Sequence, residues 1–581
     1  METMPLNSYR RWLWPALLIA FMVLGACGRG REQTQATPTA VPPIAVAPAA
    51  AEAATEEAPL KILDNNLLTA PGATIQCDSS PDVAFTCDEA GDVQTLDASI
   101  DASVYARWSL RLPPAAPPLT GTETLELHAR RTGDLSPNLY LVDEAGVRVP
   151  VRLGRYGLGD EWGVVHVPLA EIKDDQGVAP DFSQLREIQI VFEWSDMAGQ
   201  LAFDDLRFAP IWREDVTVGE QAGTLAAELS APEGFVIDAV SDGLQSMTQI
   251  DFTPEGDMLV SLQNGRVWWY RDEDGDGRYD QRHLYDAGYT EIVGLLYDPT
   301  DGGVWLGGRG QLYHTLDTNG DGVADVRELR IDGLPWGRHQ NNGLVWNPDP
   351  DPFSGEPAYS WIYFGLGSTD DLEVGGPLNA SVLRFPRGGQ SADDLEIISQ
   401  GNRNPYMVVW APVPVNLDDP DGETAWQLFA SENGPDFNDA PDEVNHIRKG
   451  LHYGFPEQFG PVAEGDADGA PYAGPVYAAT PHASASGLAY VSNPDWPPAY
   501  RTLYVTLFGQ VFDEKIVGHT VERVTLSQVE TPAGPTYRGE PSDFITGLDR
   551  PLPIAVSPHG DLFVGDYATG VIYRVRYQPA E

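Results

Sequence analysis

A unit of about 45 residues that recurs along the C-terminal half constrains this chain more than any other feature. Gly265-Arg266-Val267-Trp268-Trp269-Tyr270, followed by Asp272, returns as Gly310-Gln311-Leu312-Tyr313-His314 followed by Asp317. Upstream of each lies a turn and then an apolar run, Pro254 to Val260 and Pro299 to Trp305. The same unit returns as Pro558 to Val564 with Gly570 to Val575. A four-stranded unit of ~40–50 residues, repeated with β-turns, predicts propeller blades, because such a sheet buries its faces only against its neighbours. Residues 228–581 exceed the length of six minimal units, and Pro- and Asp-rich insertions near 347–358 and 412–425 take up the excess, so six blades are expected. The 59 Gly and 49 Pro suit short strands joined by tight turns, and the expected class is all-β.

Residues 60–210 carry a second pattern. Short alternating runs such as Leu125-Glu126-Leu127-His128-Ala129 and Leu139-Tyr140-Leu141-Val142 predict half-buried antiparallel strands, hence a β-sandwich joined to the propeller by a linker at 211–227. The stretches Trp162 to Leu169 and Phe203 to Phe208 resemble galactose-binding-like jelly rolls, a fold shared by many carbohydrate-binding modules. That resemblance leaves Asp204 and Asp205 as either ligands of a structural calcium or solvated acids. Trp108, Tyr156 and Trp162 are likewise either a sugar-stacking platform or core.

Arg10-Arg11 precede an apolar run from Trp12 to Leu24, too short to span a bilayer but of signal-peptide length. Its end, Leu24-Gly25-Ala26-Cys27, resembles the lipobox of bacterial lipoproteins. The resemblance implies a signal at 1–26, lipid attachment at Cys27 and an exported protein held to the outer face of a membrane by lipid alone. Residues 27–59, rich in Ala, Pro and Thr, cannot bury enough surface to offset chain entropy and read as a tether. In an exported chain Cys77 and Cys87 predict one small-loop disulfide. With 36 Lys and Arg against 86 Asp and Glu, the net charge of −50 excludes nucleic acid as a partner.

Two segments inside the repeat point to calcium. Asp317-Thr318-Asn319-Gly320-Asp321-Gly322, with Asp325 and Glu328, places oxygen donors and a turn glycine in the order of a calcium loop. Its repeat partner has Asp272, Asp274, Asp276 and Asp280, but His283 where the bidentate ligand belongs. Strands on both flanks make these calcium-stapled hairpins rather than EF-hands; solvated acidic turns are the other reading.

Further polar clusters fall where blades begin. Gly337-Arg338-His339-Gln340-Asn341-Asn342-Gly343, Gly401-Asn402-Arg403-Asn404-Pro405, Glu432-Asn433-Gly434-Pro435-Asp436 with Asp442-Glu443, and His482 to Tyr490 with Arg550-Pro551 occur in that order. Together they resemble the glucose/sorbosone dehydrogenase family, PQQ-dependent sugar dehydrogenases built on a six-bladed propeller. The resemblance implies His339 as general base, with Arg403 facing cofactor and substrate. It implies Gln340, Asn404, Asn433 and Arg550 as cofactor contacts, and Gly434 and Pro435 with Asp442 and Glu443 as the calcium-binding stretch. The chemistry agrees: a neutral imidazole can take a hydroxyl proton, while a calcium ion and guanidinium groups stabilise the charge a quinone gains. Two departures stand out. No Lys or Arg lies in Tyr504 to Gln510, Lys515 being the nearest, and Leu552 and Pro553 occupy positions where polar contacts are expected.

Two functions follow from this reading. One is a lipid-anchored PQQ-dependent aldose-type dehydrogenase; without a Cys-x-x-Cys-His motif it would pass electrons to an external acceptor. The other is a non-catalytic, calcium-stabilised propeller that binds polysaccharide or a protein. For the anchor, Cys27→Ser should move the protein from the membrane fraction to the soluble fraction with its fold intact; retention on membranes after a high-salt wash would refute the lipobox reading.

Overall fold

The computed structural model describes residues 63–579 apart from 89–90, 114–117, 217, 219–224, 274–277, 437–439, 462–471 and 511–515. The signal, the tether, Cys27, Asp274, Asp276 and Lys515 lie outside the described residues.

The chain is all-β, with an N-terminal β-sandwich followed by a six-bladed propeller. One five-stranded sheet of the sandwich runs, in spatial order, 74–79, 106–111, 185–192, 138–143 and 151–152. The facing sheet runs 84–87, 93–100, 197–209, 124–134 and 163–168. Alternation along the strands turns Leu125, Leu127, Ile188, Ile190, Phe203 and Phe208 into the space between the sheets. Trp108 belongs to that core: it has no exposed surface, meets Phe203 edge-on at 5.1 Å and donates its indole N–H to Gln94 at 3.0 Å. It is therefore not part of a sugar platform, and Tyr156 packs under Arg266, leaving Trp162 exposed. Asp204 and Asp205 are paired to His128 and Arg207. The Cys77–Cys87 disulfide ties the edge strands 74–79 and 84–87 of the two sheets.

The segment expected to be a plain linker does more than connect. Arg213–Asp215 forms a fifth, outermost strand on the first blade by pairing with 281–283. Just before it, Trp212 stacks on His166 of the sandwich at 4.4 Å and meets Trp268 of the propeller edge-on at 4.8 Å. Arg266 adds an ion pair to Glu171 at 2.6 Å and stands over the Trp212 ring. An apolar clamp with a bidentate ion pair joins the two folds.

Blades one to five are antiparallel sheets, four-stranded except for the extra outer strand of the first, and their innermost strands are Met247–Phe252, Gly294–Tyr297, Asn341–Trp346, Pro405–Pro414 and Ala485–Tyr490. The sixth blade, starting with Pro551–Val556, takes its outermost strand from Phe235–Ser241, which pairs with Ile572–Tyr577 and closes the ring. The insertion at 347–358 folds back on the third blade: Asp351, buried, accepts from Tyr363 at 3.0 Å and from Arg384 at 2.7 Å. A buried aspartate needs such partners, and here the third blade supplies them.

Trp212→Ala should remove about 3–5 kcal/mol, as large aromatic truncations in cores do. Denaturant unfolding is expected to split into separate sandwich and propeller transitions, and an unchanged single transition would show that Trp212 does not couple the folds.

Candidate functional site

The six innermost strands stand around the axis, and each opens at the same end. In five of them the pairing register breaks close to the start, at Met247/Gln249, Asn341/Leu344, Pro405/Met407, Ala485/Leu488 and Pro551/Ile554. Such irregularities re-aim a side chain out of the ladder. The residues at or beside these breaks, Thr248, Asn342, Tyr406, Ser486 and Leu552, and Val293 of the second blade, all line one axial cleft.

The cleft has two lobes of about 260 and 470 Å³. Arg338, His339, Asn404, Asn433, Ser484 and Phe508 line both, so the lobes form one continuous site. Arg403, Gly434, Asp436, Asp442 and Gln510 belong to the larger lobe; Gln340, Glu291 and Tyr567 belong to the smaller.

His339 is half-buried. Its Nδ1 lies 2.9 Å from the carbonyl oxygen of Ser368, an acceptor only, so Nδ1 carries the proton and Nε2 is left as the basic atom. Burial, then the positive charges of Arg403 and Arg338, lower its pKa to about 4. Arg403 is almost fully buried. It donates to the carbonyl of Asn433 at 2.8 Å and to that of Asp371 at 3.1 Å, and it is ion-paired with the Asp371 carboxylate. Arg338 is ion-paired with Asp436.

A chain of amides fixes the rest of the wall. Asn342 donates to Asn404 at 2.9 Å, Asn404 to Asn433 at 3.1 Å, and Asn433 to the carbonyl of Ala485 at 2.7 Å, linking blades three, four and five. Gly434 donates its N–H to Asp442 at 2.9 Å, and a Cβ there would fall 2.3 Å from the carbonyl of Pro441, so only glycine fits. The other oxygen of Asp442 accepts from the N–H of Ser484 at 2.6 Å, holding a serine in the left-handed region at φ 59. Burial raises the Asp442 pKa to about 6.

Other sequence-nominated residues are placed differently. Gln340 lines the cleft, but its side-chain oxygen accepts from the N–H of Arg309 at 2.6 Å. Pro435 is buried and is not among the lining residues of either lobe. Glu443 does not line the cleft: it lies beneath the wall beside Glu432, and Asn445 donates to both at 3.1 and 3.0 Å. Burial raises the pKa of both carboxyls, and Glu432 accepts the Arg403 N–H at 2.6 Å. Arg550 is not among the lining residues of either lobe; its backbone N–H is held by Asp566, and its guanidinium lies over the Phe508 ring at 5.1 Å from the centroid.

The calcium loops also divide. In the first, Asp317 accepts N–H groups of Gly320 and Gly322, Asn319 that of Asp321, Asp321 that of Val323, and Asp325 that of Thr318. Glu328 leaves this group, because the chain continues as a strand, Val326–Ile331, which carries it opposite His314 and into an ion pair with Arg330. A helix would have turned that position back toward the loop. In the second, Asp280 accepts the N–H of Glu273 at 2.8 Å; Asp272 precedes the residues outside the description.

Thr248, Glu291, Tyr406 and Tyr567 escaped the sequence reading. The repeat carried a signal for part of this set, since Thr248 and Val293 are one period apart and both face the axis. Asp371, within a loop of the third blade, had none.

Comparison with known proteins adds the following. A domain of unknown function, DUF7133, matches residues 245–408. No curated protein matches the chain. Among solved structures, a calcium structure of a Trichoderma reesei carbohydrate-active enzyme of family AA12 is 15% identical with a TM-score of 0.48, covering 60% of this chain and 97% of its own. The holo PQQ domain of Coprinopsis cinerea pyranose dehydrogenase is 15% identical with a TM-score of 0.47, over 60% and 97%. A PQQ-bound aldose sugar dehydrogenase from Streptomyces coelicolor is 20% identical with a TM-score of 0.43, over 60% and 100%.

His339 should remain neutral until the pH falls toward about 4, because its charged form is disfavoured by burial and by two guanidinium groups. An NMR titration of its ring checks this, and a midpoint near the ordinary ~6.5 would contradict the placement.

Proposed function

We propose that the axial cleft is the active site of a PQQ-dependent dehydrogenase that oxidises a sugar hydroxyl. The observation that carries the reading is the state of His339: Nδ1 is fixed as a donor to Ser368, and its basic nitrogen belongs to a neutral ring that lines the same cleft as Arg338, Arg403, Asn404 and Asn433. The order of the four motifs supports it.

The residues fit a planar quinone with carboxylate groups and a calcium ion. Phe508, Leu552 and Val293 supply apolar wall; Arg338, Arg403, Asn404, Asn433 and Gln510 supply N–H donors; Asp436 and Asp442 beside Gly434 and Pro435 supply anionic oxygen. When bound, PQQ with calcium supplies the two-electron acceptor that the side chains themselves lack. His339 takes the hydroxyl proton at Nε2, and the Ser368 carbonyl stabilises the imidazolium through Nδ1–H. Arg403, held in place by Asp371 and the Asn433 carbonyl, presents fixed positive charge where negative charge develops. The amide chain through Asn404 keeps this wall from relaxing.

We place the enzyme outside the cytoplasm, anchored through Cys27, with the sandwich between anchor and propeller. The second reading, a propeller that binds glycans without oxidising them, is favoured by one observation: the buried guanidinium of Arg403 already has an anionic partner.

The test is binding of PQQ to calcium-loaded apo-protein, followed by dye reduction with a panel of aldoses. His339→Gln should lower turnover by about 10²–10⁴-fold with little loss of PQQ affinity, whereas Arg403→Ala should reduce both. Absence of PQQ binding at micromolar concentration, with glycan binding retained, would decide for the second reading.

A further inference from the structure

Away from the cleft, the second blade holds a group of metal-ligating side chains with no assigned role. Asp298 and Asp301 sit in the turn between Gly294–Tyr297 and Val304–Gly308, and His314 lies on the next strand, Gln311–Leu316. One ligand atom from each lies within 4.8 Å of the others; among the described residues no other set of three His, Cys, Asp or Glu meets that spacing.

His314 is what makes this group more than an acidic turn. It is 3% exposed, and neither ring nitrogen makes a hydrogen bond. The same repeat position is bonded elsewhere: Trp269 in blade one donates to Asp257 at 2.8 Å, and Arg574 in blade six donates to Asp561 at 2.8 Å. In blade two Nε2 stops 3.4 Å from Asp301 and 3.9 Å from Asp298. On the other side of the ring Nδ1 stands 3.8 Å from Glu328, and a buried imidazole that makes no hydrogen bond is costly unless something joins it to the carboxylates.

The separations suit a shared ion. Ligand atoms ~2.0–2.2 Å from one metal at tetrahedral angles lie roughly 3.3–3.6 Å apart, which the Asp301 to His314 distance meets and the Asp298 distance nearly meets. Asp301 turns one oxygen to Arg387 of the third blade and the other toward His314, where it accepts only the N–H of Gly303 at 2.9 Å. Arg387 also holds Asp298 at 2.7 Å, so the two carboxylates tolerate each other before an ion arrives. Asp301 is one-third exposed, giving an ion an entry route and room for water ligands.

We propose that His314, Asp301 and Asp298 form a site for a zinc-type divalent ion at the seam of blades two and three. Imidazole with carboxylate selects such an ion over calcium and magnesium, which take oxygen donors.

Cobalt(II) is the probe, added to full-length protein already saturated with calcium. The expected result is a visible d–d absorption of four- or five-coordinate cobalt, displaced by zinc, with a rise in melting temperature. Asp301→Asn and His314→Gln should each weaken that signal's cobalt affinity by at least about 10-fold. Absence of the band in the wild type, or a band unchanged in both variants, overturns the proposal. Should His314→Gln fail to fold, Asp301→Asn decides, since its side chain reaches the surface.

Discussion

Ring closure is the constraint on which the rest of the molecule depends. Phe235–Ser241 completes the last blade from the opposite end of the propeller sequence, with Phe235 opposite Tyr577 and Ala239 opposite Tyr573. Phe235 alone meets Trp496, Tyr500, Phe544 and Tyr577, so the closing strand is also glued to the fifth blade. The cleft has one wall residue from the start of each blade, and it exists only when all six innermost strands stand in a closed circle. An open ring would separate Thr248 from Leu552.

Within that circle, polar groups carry fold and site at once. Glu432 receives the Arg403 N–H and, through Asn445, shares a buried pocket with Glu443. Two carboxyls so placed cannot both ionise cheaply, and burial with mutual repulsion raises the pKa of Glu432 well above its ordinary range. The loop bearing Arg403 and Asn404 therefore rests on a buried carboxyl pair whose pKa values burial drives upward. Asp442 does similar work next door, fixing both Gly434 and Ser484. Glu432 and Glu443 support the cleft from beneath, whereas Asp442 both supports it and lines its larger lobe.

Much of this was legible in the sequence, and the failures have physical causes. The period between the Asp272 and Asp317 units exposed the propeller because each blade repeats one packing problem, and allowing for the insertions near 347–358 and 412–425 brought the count to six. His339 and Arg403 could be named because each opens a blade within a recognisable cluster. Arg550 looked equivalent on that basis, but residue type does not reveal that its guanidinium stacks on Phe508 instead of lining the cleft. Glu328 matched a spacing rule written for a helix, and the strand after Asp325 carried it elsewhere. Trp108 is indistinguishable from a surface aromatic until its sheet partner is known. Arg213–Asp215 is too short and too charged to read as a strand; its conformation comes from the open edge at 281–283 that it covers.

The closing strand has a further consequence, in time rather than space. A chain that emerges from its N-terminal end presents Phe235–Ser241 early, and its partner Ile572–Tyr577 appears only after the other blades. The sandwich, with all its strands in hand, can fold during that wait, while the exposed strand and the unfinished arc cannot complete their pairing. Assembly of the cleft is thus an all-or-nothing event at the end of emergence, and a cofactor or ion that needs walls from several blades meets its site only after the ring has closed.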